Sequence, residues 1–265
     1  MSRIAATFAA LRARRQAALI PYLTAGDPDL STTRVLARAA AEAGADLLEL
    51  GVPFSDPMAD GPILQRSSAR ALAAGTSLPR VLELAHELRR ELTIPIVLFG
   101  YFNPFFRYGV QALARDAAAA GVDGLLCVDL PLEEVSELRP AARAADLDVI
   151  ALLAPTTPPK RIRAIAQEAT GFLYFVSVLG TTGVRTTLPP ELPRWTERVR
   201  ANTSMPIGVG FGVSEPAQAS WIAGFADAVI VGSAIARVLE AATRAEAPLQ
   251  VAAFVASLKR AMRAA

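Results

Sequence analysis

The sequence predicts an α/β fold, a single (β/α)8 TIM barrel over residues 1–265, and three observations predict it. Eight short runs are apolar on both faces, as the strands of a helix-covered parallel sheet must be. Segments of helical period lie between them. No Gly/Ser-rich linker or charge run divides the chain, and 265 residues suit a closed barrel better than an open sheet.

The elements follow in order. MSRIAATFAALRARRQ is an amphipathic pattern with Ile4, Phe8 and Leu11 on one side, an extra N-terminal helix ahead of the barrel. ALIPYLT (18–24) is the first strand. TTRVLARAAAEAG sets Val35, Leu36, Ala39 and Ala43 on one stripe and stops at Gly44, a natural helix end. DLLELG (46–51) is the second strand, and the long loop after it leads to an extra helix. IPIVLFGY (94–101) is the third, and VQALARDAAAAG repeats the helix design to Gly121. DGLLCVD (123–129), DVIALLAP (148–155), GFLYFVS (171–177), MPIGVG (205–210) and DAVIVG (227–232) complete the eight. Another extra helix follows the eighth strand, with Val251, Phe254, Val255, Leu258 and Met262 on one face. Its Lys259, Arg260 and Arg263 fall in the last turns, where cations suit the helix dipole.

Composition narrows the function. The net charge is +2, with basic residues scattered among acids, which tells against nucleic-acid binding. One cysteine and one histidine exclude an intramolecular disulfide and an ordinary zinc set. The N-terminal stretch lacks a signal-peptide apolar core, and no apolar run approaches the roughly 18 residues of a membrane span. A cytoplasmic protein is expected.

In a barrel, active sites lie at the carboxyl ends of the strands. The polar segments of this chain fall there: TAGDPD, GVPFSDPMADG, GYFNPF, VDLP, GTTGVR, GFGVS and GSA. Glu49 stands within an apolar run, so its side chain enters either the barrel or the helix layer. A carboxyl group so placed has a raised pKa, as acid–base chemistry near neutrality requires. A structural ion pair is the competing reading, but no basic residue lies near it in sequence. Asp56 suits a turn, and Asp60, before Gly61 and Pro62, is either a helix cap or a second catalytic carboxylate.

Glycines after the sixth, seventh and eighth strands suit a phosphate held by backbone N–H groups. Gly183, Gly212, Gly232 and Ser233 are the candidates, against the plainer reading of tight turns. His86 belongs to a helix pattern and reads as solvated or half-buried, not catalytic; Cys127 reads as a small core residue. Tyr101, Phe102, Phe105 and Phe106 either fill core or wall an apolar pocket.

LELGVPFSDPMADGP closely resembles the signature of the tryptophan synthase α-subunit family. IPYLTAGDPD, GYFNP, DGLLCVDLPLEE, VSVLGTTGVR, IGVGFGVSEPAQA and DAVIVGSAI follow in that family's order over essentially the whole chain. The resemblance implies a lyase that splits indole-3-glycerol phosphate into indole and glyceraldehyde 3-phosphate. It implies that Glu49 protonates the indole at C3 and takes part in the proton transfers at the glycerol hydroxyl, and that Asp60 binds the indole N–H and stabilises the cation formed. It places Tyr22, Tyr101, Tyr174, Thr182 and Phe211 in the substrate pocket, with Tyr22 where phenylalanine is familiar. It gives the phosphate to Gly183, Gly212, Gly232 and Ser233.

The resemblance asks for no metal or organic cofactor in this chain. It implies a partner, a pyridoxal-phosphate-containing β subunit in an αββα complex. That partner would dock on Pro53, Phe54 and Asp56, on Asn103, Pro104 and Phe105, and on Pro131. The alternatives are a stand-alone lyase, a catalytically silent activator of the β subunit, or another phosphate-binding barrel. The last lacks support, since neither lysine, Lys160 or Lys259, lies in a strand to form a Schiff base.

Overall fold

The computed structural model describes residues 1–176, 188–210 and 212–263. Helix α1 (Arg3–Ala13) precedes β1 (Ala18–Thr24) and α2 (Leu30–Glu42). Then come β2 (Leu48–Gly51), α3 (Pro62–Ala73), α4 (Leu78–Glu91), β3 (Ile96–Gly100), α5 (Phe102–Tyr108) and α6 (Val110–Ala119). β4 (Gly124–Cys127) leads through a 3-10 turn (Leu132–Glu137) to α7 (Arg139–Ala144), β5 (Asp148–Leu153) and α8 (Pro159–Glu168). The remainder is β6 (Leu173–Val176), α9 (Leu192–Arg200), β7 (Ile207–Gly210), α10 (Pro216–Ala223), β8 (Ala228–Val231), α11 (Ser233–Ala241) and α12 (Ala247–Arg263). The strands pair in parallel and in sequence order, and β8 closes on β1.

Alternation explains why both strand faces are apolar. Leu48 and Leu50 pack outward into the helix layer, whereas Leu47, Val97, Phe99, Leu126 and Ile150 fill the barrel interior. Helix α1 plugs the bottom of that interior with Ile4, Phe8 and Leu11, the Phe8 ring lying 5.6 Å from Phe172. Ser2 donates to Asp148 at 2.6 Å, and Arg3 pairs with Asp123.

The bottom rim carries a repeat. Asp46 accepts the Leu19 N–H at 2.7 Å, Asp123 that of Ile96 at 2.7 Å, and Asp227 that of Ile207 at 2.9 Å. The Thr170 hydroxyl accepts the Val149 N–H at 2.8 Å in the equivalent place. In each case the residue leading into an even strand caps an N–H at the start of the odd strand before it. Each aspartate has a cation: Lys259 at 2.5 Å on Asp46, Arg89 at 2.9 Å on Asp123, and Arg200 at 2.9 Å on Asp227.

Several expectations need correction. The strands after β1 are shorter than their apolar runs, because the leading aspartates serve as caps and residues such as Tyr101 and Asp129 have already turned into loops. On α2 the buried face is Thr33, Leu36, Ala37 and Ala40, not a stripe through Val35, which is exposed. Small residues let the helix approach its neighbours. Lys259 is not a solvated dipole partner; it is buried on Asp46. An additional helix, α5, forms within the segment after β3 that reads as loop.

Candidate active site

Strand parity settles where Glu49 points. Its neighbours Leu48 and Leu50 face the helices, so Glu49 shares the interior with Leu47, one β1–β2 register step from Tyr22 and one β2–β3 step from Val97. It is fully buried, and neither carboxyl oxygen has a hydrogen-bond partner among the described residues. Burial pushes its pKa up to about 8, so the neutral acid prevails at physiological pH.

Asp60 closes the long loop after β2 and is also buried. It is no cap: Gly61 holds the N-cap position of α3, with Pro62 opening the helix. The Tyr101 hydroxyl donates to the Asp60 carboxylate and accepts the Ala59 N–H at 3.1 Å. The Gln65 amide donates to the Asp60 carbonyl at 2.8 Å. Burial raises the Asp60 pKa to about 6, and the Tyr101 hydrogen bond limits the rise. Two interior acids thus differ in ionisation near neutrality, the arrangement that divides acid from base within one site.

Aromatic rings surround them. Tyr22 meets Phe99 edge-on at 5.0 Å, Tyr174 lies 6.5 Å from Phe99, and Phe54 lies 5.3 Å from Tyr101. Each interior tyrosine leans over a glycine of the next strand. A Cβ on Gly51 would sit 2.1 Å from the Tyr22 hydroxyl, and one on Gly210 would sit 2.3 Å from that of Tyr174. No larger residue fits at either place without displacing the ring.

A cavity of about 700 Å³ opens at the carboxyl end of the strands, with Asp60, Phe99, Cys127, Ile150, Leu152 and Val176 in its wall. It reaches Asp60 and stops short of Glu49, which lies one inward position below the level of Phe99. Phe99 and the aliphatic wall are absent from the sequence-derived site. The signal for Phe99 was its parity with Val97 on β3, two residues before Tyr101.

Gly212 adopts φ +85°, and Gly232 and Ser233 form the N-cap and first turn of α11. The Gly232 backbone lies against the Tyr22 ring, where a Cβ would stand 3.3 Å from it. The α11 N-terminus and its unsatisfied N–H groups therefore border the aromatic pocket, an arrangement suited to an anion. Thr182, Gly183 and Phe211 lie outside the described residues. Among the described residues, no group of three His, Cys, Asp or Glu could hold a metal ion, and His86 is exposed on α4.

Of the docking residues, Asp56, Asn103 and Pro131 are exposed, and Phe54 and Pro104 are half-buried. Pro53 and Phe105 are corrections. Pro53 is buried, and Phe105 is a core residue packed against Gly100, which leaves the neighbouring Phe106, 62% exposed, to face solvent. Consecutive helical residues cannot share a face.

Fold and site together define a (β/α)8-barrel enzyme of the acid–base kind, with Asp60 at the mouth and Glu49 beneath it, and neither carboxyl group paired with a cation among the described residues. The family model described as tryptophan synthase alpha chain matches residues 8–264. A tryptophan synthase alpha chain from Geobacter sulfurreducens is 50% identical over 262 residues, 99% of each chain. The crystal structure of tryptophan synthase subunit alpha from Legionella pneumophila superposes with a TM-score of 0.92 at 38% identity, covering 100% of both chains. A structure of Mycobacterium tuberculosis tryptophan synthase gives 0.91 at 38% identity, covering 99% of this chain and 98% of that one. The chain belongs to the tryptophan synthase alpha chain family.

Proposed function

We propose that the chain, read as one domain over residues 1–265, cleaves indole-3-glycerol phosphate to indole and glyceraldehyde 3-phosphate. The observation that carries the reading is Glu49, a fully buried carboxyl group with no partner among the described residues and a pKa of about 8. A scaffold has no use for such a group, whereas a retro-aldol cleavage does. Protonation of indole C3 by Glu49 makes the ring cationic, and ionised Asp60 beside the indole N–H stabilises that charge. Glu49, now a carboxylate, takes the proton of the glycerol hydroxyl, the carbon–carbon bond breaks with its electron pair restoring the indole, and the hydroxyl carbon becomes the aldehyde. The α11 N-terminus at Gly232 and Ser233, with Gly212 and Gly183, takes the phosphate. Tyr22, Tyr174, Thr182 and Phe211 line the indole and glycerol portions.

This chemistry needs no metal or organic cofactor of the chain's own. The partner is a β subunit carrying pyridoxal phosphate, in an αββα assembly that receives the indole. Phe54, Asp56, Asn103, Pro104 and Pro131 form the docking face, and exposed Phe106 takes the place of Phe105. No helix among the described residues is long and apolar enough to cross a membrane, which suits a cytoplasmic biosynthetic enzyme.

The ionisation states set the pH profile. Cleavage requires Asp60 ionised and Glu49 protonated, so kcat/KM rises with pH through about 6 and falls through about 8. Tyr101→Phe removes the bond that holds the Asp60 pKa down, so the acid limb moves to higher pH. The loss in kcat/KM is about 10-fold, the scale of one charge-assisted hydrogen bond. An unmoved acid limb in that variant would detach Tyr101 from Asp60.

The direct test is steady-state cleavage of indole-3-glycerol phosphate by the purified chain, with and without a β subunit. Weak activity alone and a large rise with β support the reading. Full activity without β marks a stand-alone lyase, and no cleavage in either condition, with β still activated, leaves only a binding module.

A further inference from the structure

The two helices that begin beside Asp60 and at Gly232 are joined by a network the proposed chemistry does not use. Asp27, in the loop after β1, is 2% exposed. Its carboxylate accepts the Ser67 hydroxyl and two bonds from Arg70, from Nε at 2.7 Å and Nη2 at 2.7 Å. Arg70 reaches in the other direction to Glu240 with Nη1 at 2.8 Å, and Arg66 grips the same carboxylate through Nε at 2.9 Å and Nη2 at 2.8 Å. Ser67, Arg66 and Arg70 belong to α3, and Glu240 belongs to α11.

The helices so joined begin at the two ends of the site. Asp60 immediately precedes the N-cap of α3, and Gln65 of that helix holds its carbonyl. The N-terminus of α11 presents Gly232 and Ser233. Leu64 of α3 and Ala236 of α11 are buried in one cluster with Tyr22, so the two helices meet over β1.

We propose that Arg70 is a positioning residue: by bridging Asp27 and Glu240 it fixes α3 against α11, and so fixes Asp60 relative to the anion-binding turn. The inference rests on the proposed function, in which a single substrate spans both ends. The planar guanidinium fork suits the task, since it bonds two carboxylates in set directions. Without Arg70, α3 keeps only Arg66 on Glu240 and Ser67 on Asp27. With the two carboxylates no longer tied through one rigid group, a substrate held at one end meets the other out of line. Small misplacements of that kind are costly to a chemical step.

The test compares wild type, Arg70→Ala and Glu240→Gln in the full chain with its β subunit. Glu240→Gln removes the charge and one acceptor oxygen at the α11 end while leaving buried Asp27 paired, so it remains informative if Arg70→Ala does not fold. The expected result is a 10- to 100-fold fall in kcat for Arg70→Ala and a smaller one for Glu240→Gln. The dissociation constant of inorganic phosphate stays within about 2-fold of wild type in both. Partial recovery of kcat in Arg70→Lys supports the bridge. Wild-type kcat in the variants, with only Tm lowered, shows the network to be merely structural and overturns the proposal. A wild-type chain that does not cleave the substrate at all overturns the functional reading and this proposal with it.

Discussion

Glu49→Gln is expected to remove catalysis and to make the protein more stable in alkali. The loss in kcat is roughly 10²–10⁴-fold or more, the scale of a positioned general acid. The gain in stability follows from linkage. Unfolded, the glutamate releases its proton near its ordinary value of 4.5; folded, it holds the proton to about 8. Between those values the native state binds more protons than the unfolded state, so wild-type stability declines as pH rises. Glutamine escapes that decline. Urea melts should show no difference near pH 4, a growing advantage for the variant across pH 5–8, and a plateau of about 3–5 kcal/mol above it. Equal stability at pH 9 would mean that Glu49 has a charge partner or water access that the geometry denies it.

Asp123→Ala should do the reverse, lowering stability steeply while leaving the site chemistry untouched. Asp123 is buried at the bottom rim, opposite the catalytic mouth, and holds the Ile96 N–H, Arg89 and Arg3 together. Arg89 also donates to the carbonyls of Gly121, Leu92 and Ile94 at 3.0, 2.8 and 2.9 Å, so it cannot swing away to water without undoing the end of α4. Removing the carboxylate strands both a partly buried cation and a strand N–H. A cost of about 3–5 kcal/mol is expected, visible as a drop in Tm of roughly 10 °C. Activity per folded molecule should remain near wild type. Asp123→Asn, which keeps an acceptor, should lose less; a variant as damaged as alanine would give the whole effect to charge.

The barrel was legible because its evidence is local. Eight apolar runs, helical period between them and glycines at helix ends are written along the chain. What escaped was decided across it. A run apolar on both faces cannot say whether Glu49 points inward or outward; only the register with Tyr22 and Val97 does. The tie between Tyr101 and Asp60 spans two strand units and has no local trace. The aspartates at the heads of the second, fourth and eighth runs were visible as letters, but their partners are N–H groups of other strands. Lys259 reads as a dipole partner until α12 is seen to lay it on Asp46. Family resemblance contributed the roles of the two carboxylates, which residue pattern alone left open for Asp60.

The capped aspartates of the bottom rim also set an order in time. The β3–β4 pair draws its cation from α4, and the β7–β8 pair from α9, both made before the aspartate they neutralise. The β1–β2 pair waits for Lys259, 213 residues further along. A chain emerging from the ribosome therefore holds its first strand pair without a cation on its capping aspartate until α12 is made, and the part synthesised first is the part neutralised last.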